Sequence, residues 1–321
     1  MREVDPAWRM EWDVMTTLRK RGHDLLLIGV HDDLTPIRRA LDEFQPTIVF
    51  NLLESFDDIV VFDQNVVSYL ELLRVPYTGC NPRGLTLARD KSLARKLLAY
   101  HRIPSPDFTV VGLDRKPVLP RRLTFPLIVK SLTYEASAGI SQASVVENDE
   151  QLAKRVKFVH DTLLTPAIIE QYIEGRELYV GVLGNQRLRV LPVWEMSFEQ
   201  MQGDNWRIAT ERVKWNVGYQ KRHGIDTAEA KLPPGVAERI QHLARRTYRA
   251  LELSGYARID FRMDAEGRPY VIEANPNPQL AKEEDFAQSA MRAKMSYPKL
   301  LERIMALGAR WHPARDALRE G

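Results

Sequence analysis

The segment "RIDFRMDAEGRPYVIEANPNP", Arg258 to Pro278, sets four polar side chains, Arg258, Asp260, Glu273 and Asn275, into two runs that otherwise read as strand. "YARIDFRM" and "RPYVIEAN" are rich in β-branched and aromatic residues, and Asp264-Ala265-Glu266-Gly267 between them is a turn sequence with glycine last. The pattern predicts a β-hairpin. Side chains alternate along a strand, so Arg258 and Asp260 share one face, as do Glu273 and Asn275. With Asp264 opposite Gly267, Arg258 is expected to face Glu273 directly and Asp260 to sit diagonally from it. Charge on the inner face of a half-buried hairpin is costly unless it is paired or bound. An Arg–carboxylate network on a solvated face accounts for Arg258 and Glu273, but not for a second carboxylate at Asp260 or the amide at Asn275. Two carboxylates and an amide oxygen on rigid strands form a site for a hard cation, and Mg²⁺ fits best. Pro276 and Pro278 fix the course of the chain leaving the strand.

The remaining composition excludes several classes. At 321 residues the chain has room for two or three domains. Charged residues are 28% and apolar ones 44%, the balance of a soluble globular protein. A net charge of +3, with no basic block interleaved with aromatics, does not point to nucleic acid. Cys80 is the only cysteine, which rules out an intrachain disulfide and fits a reducing cytoplasm. "DLLLIGV" is far too short to span a membrane, and "MREVDPAWRMEWD" lacks the apolar core of a signal peptide.

Three parts follow, 1–89, 90–184 and 185–321. The first alternates in type. "WRMEWDVMTTLRKRG" is a helix ending at Gly22, "DLLLIGV" a buried strand, and "DLTPIRRALDEF" a helix. "PTIVFNLL" is a strand, "FDQNVVSYLELLRV" a helix and "PYTGC" a short strand. This rhythm predicts a parallel sheet covered by helices. Such units usually begin with a strand, so the expectation is that the first strand is missing from this start. In the second part, Lys91 lies in the first turn of the helix "DKSLARKLLAYH", where the helix dipole disfavours a cation. It is either a tolerated surface lysine or one that reaches an anion. "FPLIVKS" is a strand ending in Lys130, followed by the small-residue run "EASAGIS", whose backbone N–H groups could approach a phosphate. No P-loop pattern occurs. "AIIEQYI", "EGRE" and "LYVGVLG" read as strand, turn and strand, with Glu170 and Glu177 on either side of the turn. Both are either exposed acids or nucleotide readers, with backbone after Glu170 meeting an adenine edge and Glu177 accepting from ribose hydroxyls.

In order, the chain shows Lys91, Lys130, the small-residue loop, Glu170-Gln171-Tyr172-Ile173 with Glu177, Arg258-x-Asp260 and Glu273-x-Asn275. That order resembles the ATP-grasp superfamily, most closely the D-alanine–D-alanine ligase-like branch. "VPYTGC", "ARDKSLARKLL" and "ARIDFRMDAEGRPYVIEANPNP" carry the resemblance, which spans about residues 45 to 310. It implies an α/β and α+β fold, with an N-terminal parallel-sheet domain followed by two lobes that hold ATP between them. The implied enzyme is an amide-forming ligase. A substrate carboxylate attacks the γ-phosphate to give an acylphosphate, and an amine then displaces phosphate. By position, Lys91 and Lys130 would hold the α- and β-phosphates, and "EASAGIS", with Ser137, would cover them. Glu170 and the backbone at Tyr172 and Ile173 would read adenine, and Glu177 the ribose. Asp260, Glu273 and Asn275 would hold two Mg²⁺ (or Mn²⁺) ions, and Arg258 would stabilise the oxyanion of the second step. Lys214, in the long polar segment "RIATERVKWNVGYQKRHGIDTAEAKLPPG", would meet the γ-phosphate.

Departures from the family bear on substrate. "FNLLESFDD" replaces the family's His-Gly then Gly-Glu pattern, so Glu54 or Asp57 is expected to face substrate. Ala136 stands where the family has a serine. Gln279, Glu284 and Asp285 occupy the region that binds the second amino acid's carboxylate. Acids there repel a carboxylate and favour an amine or cation. The expected partners are therefore a small-molecule or peptide acid and an amine acceptor other than D-alanine, with neither nucleic acid nor membrane. A homodimer is compatible with the resemblance. The alternatives are a peptide ligase acting on a larger acid, or an ATP-binding regulatory module without catalysis.

Overall fold

The computed structural model describes residues 8–133, 139–198, 206, 208 and 224–313. The chain opens with α1 (Arg9–Lys20). Gly22, at φ 85°, ends it as predicted, and the amides of Gly22 and His23 fold back onto the carbonyls of Arg19 and Leu18. Helices α2 (Thr35–Phe44), α3 (Asp63–Leu72), α4 (Pro82–Arg89) and α5 (Lys91–Tyr100) follow. The Asn81 and Asp90 side chains cap α4 and α5 by accepting from the Gly84 and Leu93 amides.

The buried strand expected at "DLLLIGV" does not form. Residues 24–30 carry no strand, and Leu26, Leu27 and Ile28 are exposed by 48, 60 and 42%. An apolar run becomes a parallel strand only with hydrogen-bonding neighbours, which periodicity does not reveal. Among the described residues of this part, the parallel pairing is one bridge between Val49 and Tyr77. There the Val49 amide donates to Pro76 O at 2.8 Å and the Thr78 amide to Val49 O at 2.9 Å.

The rest is built on two antiparallel sheets. The first has four strands in the order β1 (Phe108–Val111), β4 (Ala167–Gln171), β2 (Leu127–Ser131) and β3 (Val145–Val146). Leu127, Val129, Ala167 and Ile169 point to one face and pack on Leu152, Val156 and Val159 of α6 (Asp149–Leu163). Alternation sends Ile128, Lys130 and Glu170 to the opposite face.

The second sheet has five strands in the order β7 (Ile225–Glu229), β6 (Arg189–Phe198), β5 (Arg176–Leu183), β8 (Tyr256–Met263) and β9 (Pro269–Pro276). Leu178, Val180, Ala257, Ile259 and Phe261 face α7 (Val236–Ala250), whose Ile240, Leu243 and Ala244 complete a core continuous with α3, α4 and α5. On the reverse face, α8 (Asp285–Arg292), α9 (Tyr297–Gly308) and α1 bury Leu183 and Tyr256 at one end. The rest of that face, with Arg258, Asp260 and Arg262, belongs to the site.

The "EGRE" segment is not a hairpin turn. It carries the chain from the first sheet to the second, between Gln171 and Arg176. Gly175 makes the crossing at φ 142°, and a Cβ there would lie 2.0 Å from the Met263 carbonyl oxygen. Only glycine fits.

Candidate active site

The β8–β9 hairpin forms, but in a different register from the simplest one. Its loop holds Ala265, Glu266 and Gly267, closed by the Asp264 amide on Arg268 O at 3.1 Å and the Gly267 amide on Asp264 O at 3.0 Å. Gly267 takes φ 74°. A β-bulge then shifts the pairing between Asp260 and Phe261. Asp260 therefore faces Glu273 directly, and Arg258 faces Asn275. The expected Arg258–Glu273 pairing is corrected for two reasons, a longer loop and an inserted residue, Ile272. The four side chains do share one face.

Two carboxylates directly opposed across a strand pair repel, and each here has its own cation. Arg258 donates to Asp260 through Nε at 2.7 Å and Nη2 at 2.9 Å, with its guanidinium 4.7 Å from the Tyr179 ring centre. Burial opposes the Arg258 charge, but Asp260 outweighs it and raises the pKa above its ordinary value. Lys91 Nζ lies 3.3 Å from Glu273 Oε1. Lys91 is buried, and desolvation lowers its pKa against the pull of Glu273, with the Lys130 charge adding to the decrease. The sequence puzzle of a cation at a helix start is thus resolved by an acid on another element.

Lys130 Nζ bonds Glu170 Oε2 at 2.9 Å, and Arg95 Nε bonds the other oxygen at 2.6 Å. Glu170 is only 1% exposed. Burial opposes its ionisation, but Arg95 and Lys130 outweigh it and lower the carboxyl from 4.5 to about 2. Glu177 accepts from Tyr179 Oη at 2.8 Å and from Arg262 Nη1 at 3.3 Å. Between the sheets lies an open cleft. Ile128, Ile140, Tyr172, Ile208 and Ile272 give it apolar walls, and Lys130, Glu170, Glu177, Asp260, Arg262 and Glu273 bring charge to it. Tyr172 meets Trp206 edge-on at 5.1 Å, closing the apolar end.

Arg95 and Arg262 are site residues that the sequence reading passed over. Both had a signal. Arg95 is four residues after Lys91, on the same buried helix face, and Arg262 is two after Asp260, on the same strand face. The substrate candidates are less gathered. Among the described residues, the cleft lining includes none of Glu54, Gln279 and Glu284. Glu54 is exposed along part of its length, and its pKa is raised by burial and by the charge of Glu11, against Arg89. Gln279 holds a buried Oε1 with no hydrogen-bond partner. Glu284 and Asp57 are exposed. The charge of Asp285 is felt at Arg258 and Tyr179. Ala136, Ser137 and Lys214 lie outside the described residues.

The donor set fits a divalent cation. Asn275 Nδ2 is buried without a partner, next to the opposed carboxylates. An amide's N and O are assigned rather than seen, and a flip would turn Oδ1 to that position.

Comparison with known proteins decides the family. The model of the D-ala D-ala ligase C-terminus matches residues 97–306, well over half of the chain. The chain belongs to the D-alanine–D-alanine ligase family. A D-alanine–D-alanine ligase of Bordetella avium is 32% identical over 250 residues, 76% of this chain and 73% of the relative. A Sinorhizobium fredii relative, named uncharacterized protein y4sG, is 31% identical over 310 residues, 95% of this chain and 89% of its own. The crystal structure of the Bacillus anthracis D-alanine–D-alanine ligase complexed with ATP superposes with a TM-score of 0.76 at 23% identity, covering 96% of this chain and 95% of that one. The likeness establishes the ATP-grasp fold expected from the sequence. As a member of the D-alanine–D-alanine ligase family, the chain is an ATP-using ligase that forms a carbon–nitrogen bond. Among its described residues no helix is long and apolar enough to cross a membrane.

Proposed function

We propose that the chain joins a carboxylic acid to an amine through an acylphosphate, with two Mg²⁺ ions and an acceptor other than D-alanine. The observation that carries this reading is the opposed Asp260–Glu273 pair lining a cleft that Lys130 also lines, with Lys91 against Glu273. Lys91 and Lys130 bind the α- and β-phosphates. Asp260, Glu273 and Asn275 hold the cations, which supply charge neutralisation at the phosphates. Tyr172 and the Ile173 backbone meet adenine, and Glu177 takes the ribose hydroxyls. Glu170, with both oxygens bonded to cations, is better placed to hold Lys130 than to read adenine. In the first step the acid's carboxylate attacks the γ-phosphorus and ADP departs. In the second the amine attacks the acyl carbon, phosphate leaves and the amine loses a proton. Arg258 faces the oxyanion that forms between these events.

The acceptor reading rests on what surrounds Arg258 and the end of β9. Asp285 contributes negative charge at Arg258. Like charges a few ångströms apart cost on the order of 1–4 kcal/mol near a protein surface, which disfavours a carboxylate at that position by roughly fivefold to a thousandfold. The test is product detection with D-alanine as sole substrate, then with a panel of amines and diamino acids. The expected result is amide product only from acceptors that present an amine or neutral group there. Efficient D-alanyl-D-alanine formation would overturn the acceptor reading and leave the metal site untouched.

A further inference from the structure

The Ile272 bulge decides which way Glu273 points. From Met263–Pro269 to Phe261–Val271 the hairpin pairs in one register. Continued without interruption, that register would set Ile272 opposite Asp260 and Glu273 opposite Ile259, on the core face. The inserted residue returns Glu273 to the face of Asp260. A bulge leaves a carbonyl outside the ladder, and such a carbonyl needs a donor.

Arg95 supplies it. Its side chain is 3% exposed. Nη1 donates to Val271 O at 3.2 Å and Nη2 to Ile272 O, while Nε bonds Glu170. Glu170 in turn holds Lys130. One guanidinium on α5 thus ties the first sheet to the bulge of the second. A buried cation is tolerated only with such full partnering, and only the planar fork of arginine reaches three acceptors at fixed angles.

We propose that Arg95 is a positioning residue for the metal face, locking the Ile272 bulge that turns Glu273 toward Asp260 and anchoring Lys130 through Glu170. The inference rests on the proposed cation site. It is tested by calorimetric ADP binding, with and without Mg²⁺, to the wild-type chain and to Arg95→Lys, with the melting temperature of each measured alongside. Lysine keeps the ion pair with Glu170 but loses the fork that reaches the bulge. The expected result is metal-free ADP affinity within about threefold of wild type and a roughly tenfold smaller gain from Mg²⁺. A purely structural role would weaken both states equally. If Arg95→Lys fails to fold, Arg95→Gln, which leaves the Glu170–Lys130 pair in place, is measured the same way. An undiminished Mg²⁺ gain in a folded variant, or loss of fold in both variants, overturns the proposal. Absence of any Mg²⁺ gain in the wild type overturns the cation site, and this inference with it.

Discussion

At Asp260 and Glu273 two negative charges are held face to face, and each is balanced by a different element: Arg258 two residues along the same strand, and Lys91 at the start of α5. The pairing shows what a metal would have to replace and what each residue contributes. Glu273→Gln keeps the shape and removes the charge that bridges Lys91 to the cation position. Nucleotide binding should persist, while turnover falls by at least about a hundredfold, because the anchor of the cation is lost. Arg258→Ala acts on the second step. Single-turnover assays should show ADP release nearer to wild type than amide formation, since the guanidinium is needed where the oxyanion develops. Near-normal amide formation by both variants would contradict the assignment.

At the level of elements, the hairpin of β8 and β9, the helix α5 and the glycine end of α1 were all legible from residue pattern. The register was not. A three-residue loop and a bulge each shift the pairing by one, and neither leaves a mark in the alternation of apolar residues. The sheet crossing at "EGRE" was also hidden, because a turn and a crossing use the same glycine. Residues 24–30 failed for a different reason: their apolar run is real, but strand formation depends on neighbours. Arg95 went unread, although its spacing from Lys91 puts both on one helix face, because arginine on a helix is usually solvent-facing. Gly175 is the element-level position open to direct test. Alanine there meets both an unfavourable φ of 142° and the Met263 carbonyl. Gly175→Ala should lower stability by more than about 1 kcal/mol, measured by urea unfolding, and should weaken ADP binding because β4 and β5 flank the cleft. An alanine variant with wild-type stability and binding would show that the crossing relaxes freely.

At the scale of the molecule, two sheets among the described residues flank a cleft, and the charges that line it come from both. Ile128, Lys130 and Glu170 belong to the first sheet, and Asp260, Arg262 and Glu273 to the second. The direct tie described here runs through Arg95. A ligand that touches both walls therefore stabilises the native arrangement of the entire chain. On the proposed reading, Lys91 and Lys130 favour the polyphosphate, and the opposed acids repel it until cations intervene. ATP alone should consequently bind more weakly than ATP with Mg²⁺. Binding to the native state contributes RT ln(1 + [L]/Kd), about 2.7 kcal/mol at a hundredfold excess over Kd. For a chain of this size that corresponds to a rise in melting temperature of roughly 4 °C. The ordering is the sharper part of the prediction: ATP with Mg²⁺ above ATP alone, and ATP alone above the unliganded chain. Thermal melts at matched ionic strength, with EDTA in the metal-free arm, measure it. No shift with saturating ATP and Mg²⁺, together with no heat of binding by calorimetry, would remove the nucleotide from this cleft.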